Sequence, residues 1–120
     1  MGEVVAQKLM REVRTEIDKG IKYYSLLSAL NGLNLSERQI QLLAFTAVRG
    51  TITPLAARKE FVSMFKSSLN SVENIKGVLV AKGLIVKIGG MHKVLPGIDL
   101  DFSKDLSLRI DIKEGKNERK

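Results

Sequence analysis

The side chains able to do chemistry here are few, and their types narrow the chemistry quickly. The 120 residues include no Cys and one His, His92. Thiol catalysis, a disulfide framework, a Cys-based zinc site and a multi-His metal centre are excluded on that ground. No Ser-His-Asp arrangement can be argued from one His. The G-x-x-x-x-G-K-[ST] spacing of a phosphate-cradling loop is absent around Gly77, Lys82 and Gly83. Asp99, Asp101, Asp105 and Asp111 alternate with apolar residues and read as the solvent face of strands, not as a metal site or an acid/base pair. No catalytic residue, metal ligand or cofactor site is therefore expected. What remains is a set of amides, hydroxyls and cations. Ser68, Asn70, Ser71 and Asn74 stand close together, preceded by Thr53, Arg58, Lys59 and Lys66 and followed by Lys87, His92 and Lys93. An Asn amide can pair in two places with an adenine edge, and a Ser hydroxyl can bond a base or a phosphate. Lys and Arg, and His when protonated, neutralise phosphates. This is the chemistry of contact with a polyanion.

The charge distribution agrees. The formal net charge is +7, from 20 Lys and Arg against 13 Asp and Glu. Residues 35–96 carry nine bases (Arg38, Arg49, Arg58, Lys59, Lys66, Lys76, Lys82, Lys87, Lys93) and three acids (Glu37, Glu60, Glu73), a net +6. Residues 1–34 and 97–120 are close to neutral. A basic segment of this kind is an electrostatic footprint for nucleic acid. Aromatics make up only 5% of the chain and Trp is absent, which argues against a stacking platform for single strands. No apolar run approaches the ~18–20 residues of a membrane span, and no signal-peptide pattern opens the chain. The expected compartment is the cytoplasm, with no membrane partner.

The elements that must position these groups follow from the periodicity. Val5, Leu9, Val13 and Ile17 mark an amphipathic helix over 3–19, broken or bent at Gly20. A second short helix over about 21–31 carries Ile21, Tyr24, Leu27 and Leu30 before Gly32. Of the adjacent Tyr23 and Tyr24, only one can face the core. Ser36-Glu37-Arg38-Gln39 is a capping box opening a helix to about Arg49, and Gly50 ends it. Thr51-Ile52-Thr53 is a small strand or an extended connector. Thr53-Pro54 then supplies a hydroxyl N-cap and a Pro at the first helical position. The helix it opens runs to about Phe65, with Leu55, Arg58, Val62 and Phe65 along one line. The next helix is capped by Ser68, or by Asn70 with Glu73 as its capping-box partner, and buries Val72, Ile75 and Leu79 before Gly83 closes it. Glu73 caps that helix, accepts from a cytosine or faces solvent. Leu84 to Ile88 and Met91 to Leu95 flank Gly89-Gly90, a hairpin signal that sets Ile88 opposite Met91, Lys87 opposite His92 and Ile85 opposite Val94. Alternation over 98–112 predicts a second hairpin, and 113–120 holds no apolar residue and reads as a flexible tail.

The order over 35–96 resembles a winged helix-turn-helix domain, and its wording is similar to that of the MarR-type bacterial regulators. Leu35-Ser36-Glu37-Arg38-Gln39 sits where such proteins open their first domain helix. Val72 through Leu79 and Ala81-Lys82-Gly83-Leu84-Ile85 sit where they end the recognition helix and enter the wing. The likeness covers about half of the chain. The helix from Pro54 to Phe65 is about one turn longer than the family pattern. The strand-like residues after the wing stand where those proteins continue into long dimerisation helices. The family's dimer and small-molecule pocket therefore do not carry over.

The resemblance implies a DNA-binding module. The helix over about 68–82 would enter the major groove with its N-terminal half, where Asn70 and Asn74 would face adenines and Ser68 and Ser71 would bond bases or phosphates. Arg58, Lys59, Lys66 and the helix N-terminus at Thr53 would hold phosphates, and Lys87 and Lys93, with His92 when protonated, would reach the backbone or minor groove from the wing. The expected fold class is α+β: a winged helix-turn-helix over 35–96, an N-terminal helical segment over 1–34, an additional C-terminal β-hairpin over 97–112 and the tail. The expected function is non-enzymatic, sequence-specific binding of double-stranded DNA, as in a transcriptional regulator. The N-terminal helices are the candidate homodimer seam, and the C-terminal hairpin is a candidate protein-docking edge. The alternative is a winged-helix interaction module within a replication, packaging or phage virion assembly.

Overall fold

The computed structural model describes residues 2–98, with side chains from Arg14 onward. The described elements are α1 (Gly2–Asn31), α2 (Glu37–Arg49), α3 (Leu55–Phe65), α4 (Leu69–Ala81), β1 (Ile85–Ile88) and β2 (Met91–Val94), closed by a short 3-10 turn over Pro96–Ile98. The class is α+β, with four helices followed by a two-stranded antiparallel hairpin among the described residues. The expected tail and most of the expected C-terminal hairpin lie outside the described residues. Ile98, the first residue of the expected strand run, belongs to the 3-10 turn instead. Its carbonyl accepts the Tyr24 hydroxyl at 2.9 Å, which ties the end of the described chain back to α1.

The expected break at Gly20 does not occur: α1 is one helix through that residue. A glycine costs only about 1 kcal/mol in a helix interior. Gly20 is itself buried, between the fully buried Ile17 and Tyr24, and burying those two side chains outweighs that cost. Tyr24 is the core tyrosine of the adjacent pair, and Tyr23 meets its ring edge-on at 5.1 Å while half-buried. Ile21, Tyr23 and Leu27 also pack against the chain's own core. The apolar face of α1 from Ile17 to Leu27 thus packs on the chain's own core.

The capping box of α2 forms as expected. Ser36 Oγ accepts the Gln39 amide at 3.2 Å, and Gln39 Oε1 accepts the Ser36 amide at 2.9 Å. The expected cap of α3 does not form. Pro54, not Thr53, stands at the N-cap, and no side chain caps this helix. The Thr53 hydroxyl is drawn instead to the hairpin, where it accepts the His92 amide at 2.7 Å. The Ile52 amide and the Thr51 hydroxyl both donate to the His92 carbonyl, at 3.2 and 2.9 Å. The 51–53 connector therefore lies against β2 as a short extended piece. The buried line of α3 also differs from expectation: Phe61 and Phe65 are buried, whereas Leu55 is exposed. Phe61 bridges Phe45 of α2, edge-on at 5.5 Å, and Phe65 at 4.9 Å. Aromatic burial set the phase of this helix.

Of the two caps open for α4, Ser68 is used, its hydroxyl accepting the Ser71 amide at 3.1 Å. Val72 and Leu79 are fully buried, with Ile75 packed beside them. Gly83 follows α4 with φ of +76°, the left-handed conformation expected of it. The hairpin has the expected register, Ile85 with Val94, Lys87 with His92 and Ile88 with Met91. Gly89 and Gly90, at φ +58° and +81°, form the turn. Both need positive φ, as a two-residue turn of matching twist requires.

Candidate nucleic-acid interface

Burial of Val72 and Leu79 fixes the outward side of α4. At 100° per residue, Asn70, Asn74, Gly77 and Ala81 make the ridge furthest from the core, and all four are exposed. Glu73 flanks that ridge. Ser71 lies on the other flank and is half-buried. The two asparagines thus share one outward line. Gly77 adds only backbone to it, and a Cβ built there would meet nothing within 4 Å.

The cations expected at the site separate into two groups. Lys59, Lys66, Lys87 and Lys93 are exposed and form no ion pair or side-chain hydrogen bond with a described residue. They lie on α3, in the turn before α4, and on β1 and β2. Arg58 is engaged: its Nη1 donates to Glu73 Oε2 at 3.0 Å, and Lys76 Nζ donates to Glu73 Oε1 at 3.2 Å. Other bases of the segment are also bound. Arg49 pairs with Glu60, Arg38 donates to the Phe65 carbonyl at the end of α3, and Lys82 donates to the Leu33 carbonyl at 3.2 Å. The lysines left over are therefore four of the predicted contact residues.

The hydroxyls of Thr53 and Ser68 are committed within the fold, Thr53 to the His92 amide and Ser68 to its cap. The first amides of α3 nevertheless have no side-chain cap, so the helix end near Thr53 keeps open donors. The sequence assigns His92 a phosphate role only when protonated, and its surroundings disfavour that form. Burial, then the charges of Lys76 and Lys87, hold its pKa below the ordinary 6.5, with Glu73 pulling the other way. The ring is neutral at pH 7, and its Nδ1 lies 3.4 Å from the Thr53 hydroxyl. His92 ties the connector to β2, in the second pair from the turn, more than it presents charge.

Residues i and i+2 of a strand share a face. Lys87 and His92 share the face of the buried Ile85 and Val94, whereas Lys93 lies on the opposite face with Val86, Ile88 and Met91. The hairpin therefore offers one free lysine on each face. Lys76, absent from the sequence-predicted set, belongs to the group through Glu73 and His92. Its i,i+3 spacing from Glu73 was the available signal.

Among the described residues, no helix is long and apolar enough to cross a membrane, and no group of three or more His, Cys, Asp or Glu could hold a metal ion. No family model, curated protein or solved structure matches the chain.

Proposed function

We propose that residues 35–96 are a winged helix-turn-helix domain that binds double-stranded DNA sequence-specifically, and that the protein is a transcriptional regulator. In this reading α4 is the recognition helix, β1 and β2 are the wing, and the protein acts without enzymatic chemistry. The observation that carries it is the pairing of an outward Asn70–Asn74 ridge with four free lysines on the elements either side of it. The amides suit base edges in the major groove, and Lys59, Lys66, Lys87 and Lys93 suit phosphates. The opposed faces of the wing let Lys87 and Lys93 meet phosphates on either side of it. A homodimer through the N-terminal helices, matched to two half-sites, fits the function.

Charge reversal tests the electrostatic half of the reading. Lys87→Glu and Lys93→Glu each weaken binding to every duplex sequence alike and flatten its salt dependence, as read by fluorescence anisotropy on labelled DNA. Unchanged affinity in both variants contradicts a wing contact.

A second reading, an interaction module inside a larger assembly, is favoured by the outer face of the hairpin. There Val86, Ile88 and Met91 lie side by side, and Ile88 is 42% exposed. Failure to bind duplex DNA at low salt, together with a protein contact abolished by Ile88→Glu, would select it.

A further inference from the structure

Glu73 is an acid within the basic segment, one of three there and the one that lies on α4, between Asn70 and Asn74. Its carboxylate is nonetheless placed with care. One oxygen takes Arg58 from α3 and the other takes Lys76 from α4. The hydrogen bond from Lys76 and the charges of Lys76 and Arg58 keep its pKa below the ordinary 4.5, against the opposing effect of burial, so it is ionised throughout the neutral range. The side chain stays 44% exposed, which leaves the carboxylate accessible from outside.

We propose that Glu73 is the specificity gate of this face: it withholds Arg58 and Lys76 from indiscriminate phosphate contact and accepts from the exocyclic amine of a cytosine at the correct site. The inference rests on the DNA-binding reading. Its logic is that of a cost and a reward. A carboxylate brought toward duplex DNA is repelled by phosphates on every sequence. In the major groove it recovers that cost where a base offers a donor without an adjoining acceptor. Cytosine N4 is that donor, whereas adenine N6 sits beside the N7 acceptor and suits the amides of Asn70 and Asn74. With its partners holding both oxygens, the carboxylate has a fixed direction and little freedom left to lose on binding. A wrong base leaves the repulsion uncompensated, which is discrimination by penalty.

The test uses the full-length chain, random-sequence duplex DNA and anisotropy titrations over a range of salt. Glu73→Gln removes the charge at constant shape, and Glu73→Ala removes the acceptor as well. Glu60→Gln makes the same charge change on α3, where Glu60 pairs with Arg49. The proposal expects both Glu73 variants to bind random duplex about tenfold tighter at low salt, with a salt slope steeper by roughly one to two as the freed cations find phosphates at about 0.9 each. It also expects sites selected by these variants to lose a cytosine that wild-type sites contain. Glu60→Gln should change little. Circular dichroism confirms that the helices are retained, and Glu73→Ala stands if Glu73→Gln does not fold. An equal rise in Glu60→Gln, or no rise in the Glu73 variants, overturns the gate while leaving DNA binding intact. A wild-type chain that binds no duplex overturns both.

Discussion

His92 shows how one residue's surroundings decide its role. Its amide donates to the Thr53 hydroxyl and its carbonyl accepts from Ile52 and Thr51, so the backbone at this position fastens the connector to the hairpin. The ring is partly desolvated and faces Lys76 and Lys87, with Glu73 the nearby acid that opposes them. The folded pKa therefore lies below 6.5, and between that value and 6.5 the unfolded chain binds more protons than the folded one. The stability gained by keeping the ring neutral is fully present above pH 6.5 and is lost as the pH falls through the folded value. Glu73, whose pKa is also lowered, keeps its own contribution above 4.5 and loses it as the pH falls below that value. We expect the denaturation midpoint to fall as the pH drops below 6.5, and His92→Gln to remove that part of the fall. Parallel curves for the two proteins would contradict the assignment. The sequence named His92 as a wing residue, but desolvation and neighbouring charge arise only once α4 and the hairpin are in place.

At the scale of elements, Gly77 is the informative position. It lies in the middle of α4, where a glycine costs roughly 0.5–1 kcal/mol relative to alanine. The fold has no evident use for it, since a Cβ there meets nothing. A close partner does have a use for it, because bare backbone lets the helix approach a base edge or a phosphate. Gly77→Ala should raise stability by about 0.5–1 kcal/mol in urea unfolding and weaken duplex binding. A stabilised variant that binds as well as wild type would show that this turn of α4 stays away from DNA. The elements themselves were largely legible. The Ser36 box, the Gly89–Gly90 turn and the phase of α4 each rest on contacts within a few residues, and each formed as read. The failures have a shared cause. The unbroken α1, the lost Thr53 cap and the Phe61–Phe65 phase of α3 all depend on partners distant in sequence.

For the whole molecule, the net +7 is not a uniform coat. Folding consumes Arg38, Arg49, Arg58, Lys76 and Lys82 in internal contacts and leaves Lys59, Lys66, Lys87 and Lys93 free among the described residues. The sequence located the basic segment, yet could not tell engaged cations from free ones, because that depends on which acids and carbonyls the fold brings near. Four free lysines imply a salt slope of about −3 to −4 on duplex DNA if each neutralises one phosphate, and the Asn70–Asn74 ridge implies a sequence preference on top of it. The most direct measurement selects bound sites from a random duplex pool and titrates the winners against salt, with wild type and Asn74→Ala side by side. The account predicts a recurring motif, a steep salt dependence, and a preference at one base position that Asn74→Ala relaxes by about 1–3 kcal/mol. Absence of any duplex retained at low salt, or a pool that emerges without a motif, would contradict it.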